Sequence, residues 1–293
     1  MGRLCELGHV SRSAYYRHWQ ASAPRQEETA VRDALQRLAL AQPHYGHRRL
    51  SVLLRREGLV VNRKRVLRLM RQDNLLVLRR RPFVPVTTQS DHDWPVVPNL
   101  IRSLRPTGPD QIWVADITYI RLREAFVYLA VVLDACSRKV VGWALAEHLR
   151  ASLAVQALER ALSDRQPPPG LIHHSDRGTQ YACQEYRAVL ERHGLQASMS
   201  RVGNPYDNAK AESFMATLKR EQIDGRAWQD LAELQTAIAD FIDQVYNIQR
   251  LHSALGYRSP AEFENAIEAT PPSMAGGVAS IADQTVSQLL VST

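Results

Sequence analysis

The 293-residue sequence is short of cysteine and has no long apolar run. Its three cysteines, Cys5, Cys136 and Cys183, are far apart and form no CxxC pair. That spacing fits a reduced cytosolic interior better than a disulfide framework or a zinc site. No stretch reaches the roughly 18 apolar residues that a membrane span needs, and Met1–Arg12 lacks the apolar segment of a signal peptide. We therefore expect a cytoplasmic protein that has no membrane partner.

Acidic residues are scarce in the first third of the chain. Residues 1–100 hold 18 basic and 8 acidic side chains, a net charge of +10, whereas residues 101–293 hold 19 and 22, a net charge of −3; the two sum to the +7 of the whole chain. Biased codon usage would explain why arginine outnumbers lysine, but it does not explain why acids are missing from one third only. The imbalance indicates a polyanion-binding module attached to a second unit.

The first third predicts two short helices joined by a tight turn. The first covers His47–Glu57 and ends at Gly58, and the second covers Arg63–Gln72 behind the N-cap Asn62. One face of the second helix is apolar, and its other face carries Arg63, Lys64, Arg65, Arg68 and Arg71. This is the outline of a helix-turn-helix whose second helix contacts DNA. The alternative is a small helical bundle with a solvated charged face.

Residues 79–109 contain six prolines and the basic run Arg79, Arg80 and Arg81. Proline at this density breaks both helices and strands, so we expect an extended linker whose basic run could follow a phosphate backbone. The expected organisation is a helical, basic helix-turn-helix region at 1–78, this linker at 79–109, a mixed core at 110–265 and a loosely ordered tail at 266–293.

Beyond Asp110 the pattern changes to alternating strands and helices. Strands are predicted at 111–121, 126–135, 139–146, 171–175 and 196–200. Helices are predicted at 151–164, 184–193 and 231–247, and a further long helix begins near Asn204, its proposed N-cap. Three strands in hairpin sequence, followed by alternating helices and strands, predict an α/β fold with a mixed sheet.

Three acids lie at distinctive positions in the predicted fold. One is inside a core strand, one directly follows a strand, and one is on a helix. Asp116 lies inside the first strand, where a charge costs several kcal/mol unless something compensates it. Asp176 directly follows the fourth strand. On an ideal helix Glu212 lies on the flank of the apolar stripe, within about 40° of Asn208 and Lys219. Each acid taken alone is better explained by a surface salt bridge or a helix cap.

Three acids that meet at the rim of the sheet would form an oxygen-only site, which suits Mg²⁺ or Mn²⁺. His173 and His174 are neighbours on a strand and point to opposite faces, so we expect no histidine ligand. Divalent ions held by carboxylates beside a polyanion-binding module indicate phosphoryl transfer. In its two-ion form one ion activates the attacking water or hydroxyl and the other stabilises the leaving oxygen.

The spacing of these acids resembles the signature of DDE transposases and retroviral integrases. There are 59 residues between Asp116 and Asp176, 35 between Asp176 and Glu212, and Lys219 follows Glu212 by seven. The surrounding sequence is most similar to bacterial insertion-sequence transposases whose catalytic protein is encoded by a second reading frame. The matching strings are YGHRRL, WVADITYI, VVLDACSRKVVGW, HHSDRGTQY, SRVGNPYDNAKAESF and YNIQRLHSALGYRSPAEF.

This resemblance implies an RNase H-like integrase catalytic core, with a mixed five-stranded sheet flanked by helices, behind an all-helical helix-turn-helix region. It implies metal-dependent cleavage of DNA at the ends of a mobile element, followed by strand transfer into target DNA. Asp116, Asp176 and Glu212 would be the catalytic metal ligands for Mg²⁺ or Mn²⁺, with two ions expected. The other implied site residues are Lys219 and Asn208 as DNA contacts, Tyr206 in shaping the site, and Tyr246, Asn247, Arg250 and His252 in DNA binding or core support.

The resemblance also implies partners. These are the element ends and target DNA, further copies of the same chain, and an upstream-frame protein or a frameshift fusion with it, since no sustained heptad run occurs here. The implied location is the nucleoid of a bacterial cytoplasm. Two alternatives stay open: an RNase H-like nuclease without a strand-transfer step, and a non-catalytic DNA-binding regulator built on a relic core.

Overall fold

The computed structural model describes residues 11, 26–77, 97–123, 125–201 and 205–269. They belong to two compact units that divide between Arg81 and Pro82. Several predictions lie outside the described residues: most of the 1–78 region before residue 26, the run Arg79–Arg81, the N-cap Asn204 and the tail beyond residue 269. None of the helices in the described ranges combines the length and apolar character needed to cross a bilayer.

The first unit consists of three packed helices in its described part. They are α1 (Gln26–Ala41), α2 (His47–Arg56) and α3 (Arg63–Gln72). Leu50 and Leu54 of α2 and Val66, Leu69 and Met70 of α3 are buried between them. The side chain of Asn62 accepts a hydrogen bond from the backbone N–H of Lys64 at 2.8 Å, so the predicted N-cap is present. The two predicted helices and the turn between them are therefore confirmed.

The second unit is built on a mixed five-stranded sheet. Its strands are β1 (Ile112–Arg121), β2 (Phe126–Asp134), β3 (Val140–Ala146), β4 (Ile172–Ser175) and β5 (Gln196–Met199). They lie in the order β3-β2-β1-β4-β5. The pairs β1–β2 and β2–β3 are antiparallel, and β1–β4 and β4–β5 are parallel. The predicted hairpin strands and crossover strands are both confirmed.

Helices cover both faces of this sheet. They are α4 (Ala151–Arg165), α5 (Thr179–Ala182), α6 (Gln184–Arg192), α7 (Ala209–Leu218), α8 (Leu231–Asp240) and α9 (Pro260–Glu268). Alternation along β1 sends Trp113 and Ala115 into a core with α4 and α6, and Ile112 and Val114 into a second core with α7 and α8. At Gly142 a Cβ atom would lie 2.2 Å from the carbonyl oxygen of Ala157, so β3 and α4 pack backbone against backbone.

The long helix predicted after residue 204 is not one regular helix. It begins as a 3₁₀ turn (Pro205–Asn208), continues as α7 and ends as a π turn (Lys219–Ile223). The helix predicted at 231–247 likewise becomes a π turn from Phe241 to Tyr246. Because 3₁₀ and π turns change the angle per residue, the angles of an ideal helix do not apply throughout this segment. Asn208 is buried, Lys219 is half-buried and Glu212 is exposed.

Two further segments differ from the sequence-based expectation. Leu100, Ile101 and Leu104 lie in the predicted linker but pack against the core of the second unit. Helix α9 was not predicted, although its N-terminus carries a capping box in which Ser259 and Glu262 bond each other's backbone N–H groups. That helix extends to Glu268, beyond the expected end of the core at residue 265.

Candidate active site

Asp116 lies at the centre of the candidate site, within β1 and opposite Val131 of β2. Its carboxylate is partly buried and accepts a hydrogen bond from the backbone N–H of Ile117 at 2.9 Å. Burial, together with the negative charges of Asp176 and Glu212, raises the pKa of Asp116 to about 8, against the lowering effects of the Ile117 N–H and of Lys219. The three predicted acids are therefore electrostatically coupled.

Asp176 reaches the site because β4 runs parallel to β1 as its immediate neighbour. The strand ends at Ser175, so Asp176 emerges at the carboxyl end where ligands of parallel sheets bind. Its Oδ1 accepts a hydrogen bond from the backbone N–H of Gly178 at 3.0 Å. A Cβ atom at Gly178 would also lie 3.0 Å from that oxygen, so this tight turn favours glycine.

Glu212 lies in the first turn of α7, and most of its side chain is exposed. The surrounding protein still removes part of the water around its carboxyl group, which raises the pKa of that group. The helix is tied to β1 by Asn208, whose side-chain amide donates to the carbonyl oxygen of Ala115 at 2.9 Å. That oxygen belongs to the residue directly before Asp116, and Glu212 follows Asn208 by about one helical turn. Asn208 thus sets where α7 begins relative to Asp116.

Lys219 brings a positive charge to the same region from the end of α7. Its Nζ lies 4.9 Å from the centroid of the Tyr119 ring, within the range of a cation–π contact. Burial lowers the pKa of Lys219, while the charges of Asp224 and Asp116 raise it. Sequence reasoning did not single out Tyr119, although it lies in the string that contains Asp116.

The acids are coupled by charge but do not form a closed ligand cage. Within the described part of the chain, no group of three or more His, Cys, Asp or Glu side chains lies close enough to hold a metal ion. The donors nonetheless fit a divalent cation, because they are all carboxylate oxygens and because the negative charge around Asp116 exceeds what Lys219 offsets.

The histidines that precede Asp176 are both engaged in the core. The ring of His174 lies between the hydroxyls of Ser198 and Ser200, at 2.8 and 3.0 Å. The Nε2 atom of His173 lies 2.9 Å from the hydroxyl of Tyr186. Burial lowers their pKa values to about 3 and about 4, for His173 and His174 respectively, so both rings are neutral at physiological pH.

The C-terminal motif residues all contact the core of the second unit. The ring of Tyr246 lies between Phe214 and His252, with centroid separations of 4.7 and 5.1 Å. Asn247 both accepts from the N–H and donates to the carbonyl oxygen of Val140, each at 3.0 Å. The buried Arg250 guanidinium lies 2.9 Å from the carboxylate of Glu221. The side chain of Tyr206 is not among those described.

The predicted DNA-contacting residues of the first unit line the outer face of α3. Arg63, Lys64, Arg68 and Arg71 are exposed, whereas Arg65 is half-buried. Arg68 lies 3.7 Å from the carboxylate of Glu28, and the remainder of this face carries no acid. The exposed side chains form a basic stripe along one short helix.

A partly buried charge network, missed by sequence reasoning, ties four segments of the second unit together. The Arg165 guanidinium contacts Asp110 at 2.6 Å and Glu264 at 3.0 Å, and Lys139 contacts Glu264 at 2.9 Å. The network joins the residues before β1, the end of α4, the β2–β3 turn and α9. Its partners are up to 125 residues apart in sequence, so local patterns could not reveal it.

A mixed sheet in this strand order, with acids inside β1, after β4 and on the helix that follows β5, defines an RNase H-like integrase core. Comparison with known families agrees: models of the integrase core domain match residues 106–205 and 193–260, and a model of an HTH-like domain matches residues 26–83. The HTLV-2 integrase catalytic core domain, solved in complex with magnesium, is 16% identical and covers 55% of this chain and 99% of its own, with a TM-score of 0.41.

Curated relatives define the family more closely. The insertion element IS600 31 kDa protein of Shigella sonnei is 41% identical over 89% of this chain and 97% of its own length. The transposase InsF for insertion sequence IS3A of Escherichia coli is 38% identical over 89% of this chain and 93% of its own. The chain belongs to this family of insertion-sequence transposases. It is a polynucleotidyl transferase with an integrase core and an HTH-like domain, and its partner is DNA.

Proposed function

We propose that this transposase cleaves and joins DNA at the ends of an insertion sequence by divalent-metal-dependent phosphoryl transfer at Asp116, Asp176 and Glu212. The observation that carries the proposal is the charge imbalance at Asp116, whose pKa rises to about 8. Among the charged side chains of the described residues that act on the pKa of Asp116, Lys219 is the one cation, against the carboxylates of Asp176 and Glu212. A divalent cation would relieve this imbalance and favour the ionised carboxylates.

The chain's own residues position the reaction. Asp116 and Asp176 would hold Mg²⁺ or Mn²⁺ from neighbouring strands, and Glu212 would complete the donor set from α7. We propose two such ions. When bound, they would stabilise the negative charge on the attacking and leaving oxygens. Asn208, buried against Ala115, positions α7 rather than contacting DNA. Lys219, held beside Tyr119, contacts a phosphate near the cut.

The other predicted site residues assign different tasks to the two units. The helix-turn-helix region at 1–78 would hold DNA through the basic face of α3, and Arg79–Arg81 in the 79–109 segment would follow the backbone. The 110–265 core would carry the chemistry, with Tyr206 shaping the site and with Tyr246, Asn247, Arg250 and His252 as core support. We propose that the protein acts as a multimer in the bacterial nucleoid, with an upstream-frame partner or as a fusion with it.

A donor DNA with a 3′-hydroxyl end and a supercoiled plasmid target test strand transfer directly. The proposal predicts plasmid joined to the labelled donor in Mg²⁺, and none in the presence of a chelator. An RNase H-like nuclease would cut without ever giving the joined product, so cleavage with no joining would overturn the transposase mechanism in favour of that alternative. Metal-independent function after removal of all three acids would favour the other alternative, a non-catalytic DNA-binding regulator.

A further inference from the structure

The imidazole ring of His174 is hydrogen-bonded at both of its nitrogens. Its Nδ1 lies 2.8 Å from the hydroxyl of Ser198, and its Nε2 lies 3.0 Å from the hydroxyl of Ser200. All three side chains are buried. A neutral imidazole has one N–H and one lone pair, so one hydroxyl accepts from the ring and the other donates to it. The ring is therefore fixed in one orientation between β4 and the end of β5.

Ser200 is bonded to both of the residues that flank Asp176. Its backbone N–H, just beyond the end of β5, donates to the carbonyl oxygen of Ser175 at 2.9 Å. Its carbonyl oxygen accepts a hydrogen bond from Nε of Arg177 at 2.8 Å. Asp176 therefore lies between two residues that are held to Ser200, and the Ser200 side chain is in turn held by His174.

The next residue, Arg201, extends this connection to the helix of the third acid. Its backbone N–H donates to Oδ2 of Asp207 at 3.0 Å, and its guanidinium lies 3.2 Å from the same oxygen. Asp207 directly precedes Asn208, which ties α7 to β1, and Glu212 follows in the first turn of α7. The end of β5 is therefore bonded on one side to the turn that carries Asp176 and on the other to the start of the helix that carries Glu212.

We propose that His174 is a positioning residue for the catalytic metal site and that it acts through Ser200 to set the position of Asp176 relative to Glu212. This inference rests on the proposed function. The three acids come from separate elements and form no closed cage in the described part of the chain, so groups behind them must orient them. Removing outer partners of this kind typically weakens metal binding by about 10–100-fold. The contact with Ser198, the register partner of His174 within the sheet, anchors β4 but does not reach the turn of Asp176.

Two serine-to-alanine substitutions separate this role from general support of the core. Mg²⁺ alone is titrated into the full chain, and its apparent Kd is obtained from the rise in unfolding free energy in urea. S200A should raise that Kd by about tenfold or more, whereas S198A should leave it close to the wild-type value. S198A is the stricter control, because it also removes the acceptor of the Leu100 N–H at 2.9 Å. A merely structural role would make S198A the more damaging variant, for stability and for Mg²⁺ affinity alike.

Substitutions of His174 itself provide the reciprocal test, which replaces the serine pair if S200A does not fold. The amide of H174Q reaches the position of Nε2 and keeps the contact with Ser200, whereas the shorter amide of H174N reaches the position of Nδ1 and keeps the contact with Ser198. H174N should therefore weaken Mg²⁺ binding by about tenfold or more, and H174Q should not. Equal Kd values within either pair, or weaker binding in S198A or H174Q, would overturn the inference. A wild-type protein that Mg²⁺ does not stabilise would overturn the proposed function itself, so the two failures are distinguishable.

Discussion

At the scale of single residues, Asp116 is unusual both in the sequence and in the structure, because it is a charged residue within a core strand. A carboxylate in a strand otherwise made of apolar residues is costly, and the fold compensates it weakly, by one backbone N–H and the distant charge of Lys219. Positions of this kind, where local rules are broken, are expected at functional sites. Such a cost is expected where the charge has a function, as in the metal site that we propose.

The pKa of Asp116 predicts how the metal-free protein responds to pH. Its folded pKa, about 8, exceeds the unfolded value of about 3.9. Between these values the native state holds the proton more tightly, so the carboxyl increasingly destabilises the fold as pH rises from about 4 to about 8. Asp116→Asn, which cannot ionise, should be more stable than wild type by a few kcal/mol at pH 8 and by less at pH 5.5.

Urea unfolding in the presence of a chelator at these two pH values measures the effect. Mg²⁺ should raise the stability of the wild type but leave Asp116→Asn unchanged, because the variant lacks the ligand charge. A variant that is less stable than wild type at pH 8, or one that Mg²⁺ stabilises equally, would contradict this account of Asp116.

At the scale of elements, the regular parts of the fold were predictable and the irregular parts were not. Alternation and apolar runs locate all five strands to within a residue or two, and α3 has the predicted bounds. The π turns after Leu218 and after Asp240 were not predictable, because the spacing of apolar residues does not distinguish a single π turn from the continuation of an α-helix. The short helix α9 could have been found from the Ser259–Glu262 capping box alone.

The elements that carry the three acids could be predicted from the sequence, but the positions of these elements relative to one another could not. Sequence spacing places Glu212 on a helix near the sheet rim, yet the contact that sets α7 against β1 joins Asn208 to Ala115, 93 residues apart. Contacts of such separation have no local signature. For the same reason the four C-terminal motif residues could not be assigned between DNA and core before their partners were known.

A substitution of Asn247 tests whether the C-terminal motif residues support the core. Asn247→Ala would leave both the N–H and the carbonyl oxygen of Val140 without their partner in the buried interior, a loss of about 1–3 kcal/mol in unfolding free energy. Gln244→Ala changes an exposed amide in the π turn that directly precedes Asn247 and should have little effect. If Asn247→Ala keeps wild-type stability yet weakens DNA binding, the residue is a DNA contact.

At the scale of the whole molecule, the uneven charge separates two electrostatic tasks. The first third carries a net +10 and presents a basic stripe on α3, whereas the remainder carries a net −3 and contains the acids of the candidate site. Phosphate is attracted by the first and can approach the second only when its acids are neutralised. A divalent metal would serve that need.

Neutralising the stripe should weaken DNA binding without affecting the acids. R63Q/R71Q removes two exposed charges from α3 and should lower the slope of log K against log salt by about 2, while leaving the Mg²⁺-dependent stabilisation of the protein intact. R55Q/R56Q, on exposed positions of α2, is the matched control. A larger decrease of the slope in R55Q/R56Q than in R63Q/R71Q would indicate that DNA contacts α2 rather than α3.

The most direct test of the central claim is cleavage of labelled element-end DNA by Glu212→Gln, compared with the wild type, in Mg²⁺. This variant keeps the size and exposure of the side chain but removes its charge, so it should bind DNA normally and fold normally. If Asp116, Asp176 and Glu212 act together as one metal site, cleavage should fall by at least about a hundredfold, the loss of several kcal/mol of transition-state stabilisation. Wild-type cleavage by Glu212→Gln would contradict the assignment.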